Sequence, residues 1–349
     1  MKPDAEMAMP AVARQNRVTL RKTVISCAVL AAVLLLAVVF MALVGSEPLP
    51  VRASLCALAS LGRTSCGLTP DQFDILFQIR LPRILLAAAV GGSLATAGAG
   101  YQALLRNPLA EPYLLGISNG AAVGTMIALV FFGASEWTRP LLAFTGALLA
   151  TFAVYRLARG RAGATPERLI LAGVIVTTFL SSVIIFVTTL MDATRIRSFT
   201  FWLLGDLSGS SRGILPVAIT IAIAGAVALT LNARSLNLLM LGERDAFDLG
   251  VEVRRVRVVV FVVASLLVGS SVAASGSVGY VGLVVPHLAR LSLGSDNRIS
   301  IPAAALGGAV FVIVADTLAR TVIAPRELPV GAITALIGAP LFIYLLKRA

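Results

Sequence analysis

The sequence predicts an all-α polytopic membrane protein of about ten transmembrane helices, and three observations lead there. The 349 residues are 58% hydrophobic and 13% charged, against about 45–50% and about 25% in soluble domains. Mean hydropathy is +0.93. The apolar residues come in long runs: Val24 to Val44 carries no charge over 21 residues, enough to cross roughly 30 Å of hydrocarbon as a helix. In lipid the backbone must satisfy its own hydrogen bonds, so such runs are read as helices.

Residues 1–22 are polar and basic, and are expected to be a disordered cytoplasmic tail ahead of a transmembrane domain over 23–349. The first apolar run is longer than a signal-peptide core and more runs follow, so it is read as a retained helix. The expected spans are 24–44, 82–105, 115–132, 140–158, 168–190, 214–231, 256–275, 281–293, 303–323 and 329–346. The third and eighth are short and rich in Gly or Pro, so their ends are soft. Ten crossings put both termini on one side. Of the 29 lysines and arginines, 19 then fall on the side of the termini and 10 on the other, which places the termini in the cytoplasm. The net charge of +12 therefore sits at helix ends. No basic stripe interleaved with aromatics appears, and nucleic-acid binding is set aside.

Two connections are long. Gly45 to Ile79 is external in this topology and holds Cys56 and Cys66. An oxidising periplasm permits a disulfide there, but spacing alone leaves a bridge and two free thiols equally open. Asn232 to Arg255 is cytoplasmic; its Leu236–Leu241 patch is too short to span, and the stretch after it is amphipathic. Such a segment suits short helices lying against another protein or the membrane surface. A faint internal echo pairs Val90, Gly91, Ala95, Gly98, Leu105 and Pro108 with Val268, Gly269, Ala273, Gly276, Leu283 and Pro286. A step of an odd number of spans from one copy to the other would make it an inverted repeat, a common transporter plan.

Gly116, Gly120 and Gly124 form consecutive GxxxG steps, read as helix packing within one subunit. Asp316, an acid within an apolar run, has Arg320 one turn later, and a structural ion pair is preferred to a proton relay. His287 has no second histidine to share a metal, so a structural role is expected. Phe199, Phe201 and Trp202 read as interface anchors, with contact to a flat cargo as the minority reading. The hydroxyls of Thr177, Thr178, Ser181 and Ser182 either line a polar path or bond back to their own helix. No lysine lies in a phosphate-loop context, so energy from a nucleotide would have to come through a partner.

Several ordered motifs then carry a resemblance. Arg80-Leu-Pro-Arg83, Gly98-Ala-Gly-Tyr-Gln102 and Arg106-Asn-Pro-Leu-Ala-Glu-Pro-Tyr-Leu-Leu-Gly116 are three of them. Gly279-Tyr-Val-Gly-Leu-Val-Val-Pro-His-Leu-Ala-Arg290, Ala315-Asp-Thr-Leu-Ala-Arg320, Glu327-Leu-Pro-Val-Gly331 and Gly338-Ala-Pro-Leu-Phe-Ile-Tyr-Leu-Leu346 complete the set. From about residue 24 to the end, the chain resembles the permeases of the iron-siderophore, haem and cobalamin ABC importers. The resemblance implies a BtuC-like permease fold, a homodimer with the cargo path on its axis, two cytoplasmic ATPase subunits and a periplasmic binding protein. It implies no cofactor and no catalytic residue on this chain. It assigns docking of the binding protein to Arg80, Arg83 and Arg320, and coupling to the ATPase to Leu241, Gly242, Glu243, Ala246, Leu249 and Gly250, within about 233–255. It makes Thr177, Thr178, Ser181 and Ser182 path residues and Phe199, Phe201 and Trp202 candidates for cargo contact. The expected cargo is an iron chelate, ferric siderophore or haem, with cobalamin next. An ion-coupled carrier is the rival class; it is expected to place acids or broken helices at mid-membrane.

Overall fold

Each uncharged run closes into a helix because no other conformation satisfies its backbone in lipid. The computed structural model describes residues 20–132, 137–160, 163–209 and 213–347. The chain opens with α1 (Leu20–Leu43), α2 (Val51–Ala59) and α3 (Pro70–Asp74), then a π-helical stretch, Ile75–Arg80, that runs straight into α4 (Leu81–Leu104). A 3-10 turn at Pro112–Leu115 precedes α5 (Ile117–Ile127), followed by α6 (Thr138–Ala158), α7 (Pro166–Thr188), α8 (Ala193–Leu203) and α9 (Ile214–Leu231). Two short helices, α10 (Ala233–Leu241) and α11 (Glu243–Asp248), lead to α12 (Val253–Ser275), α13 (Val281–Leu293), α14 (Asn297–Thr321) and α15 (Val330–Leu346).

Among the described residues, seven helical stretches are long and apolar enough to cross a membrane, and the shorter apolar helices Ile117–Phe132, Val281–Leu293 and Val330–Leu345 take the remaining expected positions. Leu20–Lys22 belong to α1, and the first 19 positions of the expected tail lie outside the described residues. Starts are locally encoded where the chain leaves water. Thr69 and Gln72 form a capping box before Pro70, while Asp192 and Asp296 cap α8 and α14 through their side chains. Cys56 and Cys66 are joined by a disulfide across the α2 loop.

Opposed contacts give the direction of each helix. Arg83 meets Asp316 while Gly91 meets Gly308, so α4 and α14 are antiparallel. Gly120 rests on Gly146 and Gly124 on Leu142, so α5 opposes α6; the GxxxG steps are a packing seam. Leu114 lies on Gly173 and Asn119 on Ser181, so α5 and α7 run together. Alternation holds through to α15, and the Leu20 and Leu346 ends lie at the same face of the bundle, here the terminal end. The echo pairs α4 with an oppositely directed α12, as an inverted repeat would. The match stops at Gly276, because Leu283 and Pro286 lie inside α13 whereas Leu105 and Pro108 follow the end of α4.

The core is built around α4, almost every residue of which from Arg83 to Leu104 is buried. Backbone-to-backbone contact explains its glycines. A Cβ on Gly91 would sit 2.1 Å from the Gly308 carbonyl oxygen, and one on Gly98 would sit 1.9 Å from that of Gly282. Small residues at these positions let the helices touch, which is how bundles gain dispersion energy in lipid.

Candidate functional site

The end opposite the termini carries a buried charge cluster. Arg83 Nε donates to both carboxylate oxygens of Asp316 at 3.0 and 3.1 Å, and Nη2 stands 2.9 Å from Oδ1. Its Nη1 donates to Glu327 at 2.8 Å. Arg320 lies 3.6 Å from Asp316 and donates to Met41 O and Thr317 Oγ1. Arg80 donates to the carbonyls of Ala42, Leu43 and Glu47 where α1 ends. The expected ion pair of Asp316 with Arg320 is present, and a closer partner joins it. The principal partner of Asp316 is Arg83, 233 residues away, because its planar fork fits the carboxylate; the i,i+4 arginine is the weaker contact. Arg80, Arg83 and Arg320 are buried, since each turns its guanidinium onto acids or helix-end carbonyls instead of into water. Glu327, 51% exposed on its side chain, is the member of this cluster that reaches the surface.

Along α7 the hydroxyls divide between two faces. Asn119 Nδ2 donates to Thr177 O at 3.1 Å and Ser181 Oγ at 2.7 Å, so Thr177 and Ser181 turn toward α5. Thr178 and Ser182 face outward, each bonding back to the carbonyl one turn earlier. The expected aromatic contacts also divide. Phe199 and Trp202 are buried and stack with ring centroids 6.2 Å apart, because α8 turns that face inward; Phe201 remains exposed.

Between the two ends lies a polar joint that the sequence reading passed over. The expected third and eighth spans are short because α5 and α13 start inside the bundle. Non-helical backbone at Gly276–Tyr280 leads to a level where Gly282 touches Gly98, about 26 Å along α4 from Leu81. Such backbone is tolerated at membrane depth only when protein satisfies its polar groups. Tyr113 Oη donates to Val278 O at 3.0 Å and accepts from Val278 N at 3.1 Å. Glu111 accepts from Tyr280 N at 3.3 Å. Gln102 donates to the carbonyls of Ala110, Gly282 and Leu283, and accepts from Arg290. The signal was present as polar residues inside apolar motifs, but spacing alone does not say which backbone they serve. His287 packs edge-on to Phe342, centroids 6.5 Å apart. Among the described residues no three His, Cys, Asp or Glu side chains come together to hold a metal ion.

At the terminal end, α10 and α11 form a platform across the feet of α4, α12 and α14. Leu236 and Leu239 are buried beneath it and Asn237 and Leu238 are half-buried, so only Met240 and Leu241 of the Leu236–Leu241 patch are exposed. Of the expected coupling residues, Leu241, Leu249 and Gly250 are exposed, Gly242 and Glu243 are half-buried, and Ala246 is buried. Glu243 is spent on an ion pair with Arg257 of α12. Phe247, which the sequence reading omitted, is 71% exposed and joins Leu241 and Leu249 in an apolar surface. Behind it Asn237 donates to Asp296 Oδ1 at 2.7 Å and accepts from Asn297 N at 2.9 Å and Nδ2 at 2.8 Å. Burial pushes the Asp296 carboxyl up, but hydrogen bonds from Arg298 and Asn237 outweigh it and hold it at about 2.

An apolar platform thus lies at one end, a charge cluster at the other, and non-helical backbone is buried between them. The hemin transport system permease HmuU of Yersinia pestis is 42% identical over 286 residues, spanning 79% of this chain and 84% of that protein. The cobalamin import system permease BtuC of Halobacterium salinarum is 42% identical over 273 residues, 78% of this chain and 73% of that protein. A solved metal-chelate type ABC transporter in an inward-facing conformation superposes with a TM-score of 0.82 at 31% identity, covering 93% of this chain and 99% of that one. The streptococcal PsaBC structure, at 15% identity and a TM-score of 0.50, shares the fold alone. These likenesses exclude the ion-coupled carrier, and the FecCD transport family matches residues 7–348: the chain belongs to that family, the membrane-spanning permeases of ABC importers.

Proposed function

We propose that two copies of this chain enclose a path that carries an iron chelate, ferric siderophore or haem, from periplasm to cytoplasm. Two ATPase subunits dock on the platform, and a binding protein delivers cargo at the opposite end. The observation that carries this reading is the exposed surface of Leu241, Phe247 and Leu249 at the arginine-rich terminal end. An apolar patch on short helices outside the bilayer calls for a soluble protein partner. The same excess of arginine supports cytoplasmic termini. Thr178, Ser182 and Phe201, being exposed, are the better placed of the expected residues to line the path; Thr177, Ser181, Phe199 and Trp202 stand behind them.

Arg80, Arg83 and Arg320 receive carboxylates of the binding protein after it displaces Glu327 from Arg83. Charge pairing there sets orientation and encounter rate. ATP binding draws the ATPases together, moves the platforms, and switches the bundle between outward and inward openings.

Cobalamin is the second reading, supported by a relative of equal identity that is named for it. Uptake by a deletion strain, with redundant systems removed, is measured with labelled ferric siderophore, haem and cobalamin offered separately. Loss of siderophore or haem uptake alone is the expected result. Loss of cobalamin uptake alone moves the assignment to the second reading, and uptake of all three at the parental rate overturns the import assignment.

A further inference from the structure

Helix α14 is a single element with a fixed joint at each end. At its foot, Asp296 caps the helix and Asn297 begins it, and both are bonded to Asn237 of α10. At its head, Asp316 and Arg320 belong to the buried charge cluster with Arg83 of α4. Asn297 and Asp316 are about 29 Å apart along the rod at 1.5 Å per residue. Between the joints, α14 lies on α4 with backbone against backbone at Gly91, Gly92, Ala305 and Gly308, and with the Val312 side chain packed beside Gly91. A seam of this kind permits small sliding, the shear mode of packed helices.

The foot joint is specific in its chemistry. Asn237 uses both faces of its amide, its Nδ2 on Asp296 and its Oδ1 on the main chain and side chain of Asn297. Asn297 is 1% exposed, and polar bonds within such surroundings hold geometry more tightly than apolar contact, which allows slip. The rest of α10 rests on the bundle through Ala233, Leu236 and Leu239, which are apolar. Among the described residues, the polar side-chain bonding from α10 to α14 runs through Asn237, with one further contact in which Asn297 Nδ2 donates to Met240 Sδ at 3.4 Å.

We infer that Asn237 is a positioning residue that makes α14 move with the α10–α11 platform, so that nucleotide-driven displacement of the platform reaches the Arg83–Asp316 cluster where the binding protein docks. The inference rests on the proposed docking of the ATPase at Leu241, Phe247 and Leu249. By linkage the effect is reciprocal: occupancy of the charge cluster alters the platform, and hence the stimulation of ATP hydrolysis by the binding protein.

The test uses the full complex in proteoliposomes, reading assembly, basal ATP hydrolysis, and hydrolysis with saturating binding protein. Asn237→Ala should leave a complete complex with basal hydrolysis within about twofold, and cut stimulation by about tenfold, within the ordinary range of coupling between sites. Asn237→Asp sets two carboxylates together and should do the same. The exchanged pair Asn237→Asp with Asp296→Asn restores complementary donors and acceptors and keeps a helix-capping side chain; it should recover most of the stimulation. Unchanged stimulation in Asn237→Ala, or an assembled exchange variant that stays unstimulated, overturns the inference. So does loss of assembly in all three variants, because the joint would then serve folding alone. The underlying docking assignment is read separately. If Phe247→Ser with Leu241→Ser retains the ATPase subunits, that assignment fails; if they are lost while Asn237→Ala remains fully stimulated, only the α14 inference fails.

Discussion

Replacing Asp316 by Asn isolates the electrostatic keystone of the outer end without changing its shape. Asp316 is 1% exposed on its side chain and is the shared acid of Arg83 and Arg320. The substitution leaves Arg83 and Arg320 with one remaining carboxylate, that of Glu327, while Arg80 keeps the charge of Glu47 nearby. Removing one member of a buried pair costs about 3–5 kcal/mol, mainly because the surviving charge stays desolvated. Two features place this case at the lower limit. Glu327 still holds Arg83 at 2.8 Å, and an Asn oxygen can accept one of the bonds from Nε. The expected loss is therefore about 3 kcal/mol, read as unfolding free energy in mixed dodecyl sulfate and maltoside micelles. Arg83→Gln should cost a similar amount, and the double variant should cost little more than the worse single, because each change removes the same interaction. Arg320→Gln should cost less, as its contact with Asp316 is 3.6 Å and one-sided. Additive losses in the double variant, or a loss below about 0.5 kcal/mol for Asp316→Asn, the range of an ordinary surface substitution, would refute the keystone role.

Other outcomes follow from single contacts. Gly91→Ala drives a methyl to within 2.1 Å of Gly308 O and should cost at least about 1–3 kcal/mol by overpacking in the same unfolding assay, whereas Gly279→Ala, with nothing within 4 Å, should be silent. Maleimide in denaturing detergent should label one thiol, Cys27, before reduction and three after it, given the Cys56–Cys66 bridge; three labels without reductant would exclude the bridge. Glu327→Gln removes the acid that competes for Arg83, so the binding protein should associate about threefold to tenfold faster at low salt, with the gain shrinking as ionic strength rises. Stopped-flow association without any change would count against Arg83 as the receiver.

How much was legible from the chain depends on the range over which each interaction acts. Class, span positions and the existence of the α10–α11 segment follow from continuous runs of apolar residues, because a bilayer imposes on every residue the same demand that its backbone be internally bonded. The alternation of helices followed as well, since each crossing reverses the chain. The capping box at Thr69 and the cap at Asp296 are equally local in origin but were not read from the sequence. Partners were another matter. The sequence put Arg320 beside Asp316, at helical spacing, and only the fold brought Arg83 across 233 positions to take the carboxylate. Helical periodicity did not say that Phe199 and Trp202 turn inward while Phe201 turns out. A short, glycine-rich eighth span looked like a soft boundary, and the tertiary structure made it a half-helix whose entering backbone is held by Tyr113 and Glu111. Hydrophobic patterning is written residue by residue, so one chain's sequence determines it; which donor meets which acceptor depends on helix packing set by Gly91, Gly98 and their opposing carbonyls, and that only the folded bundle decides.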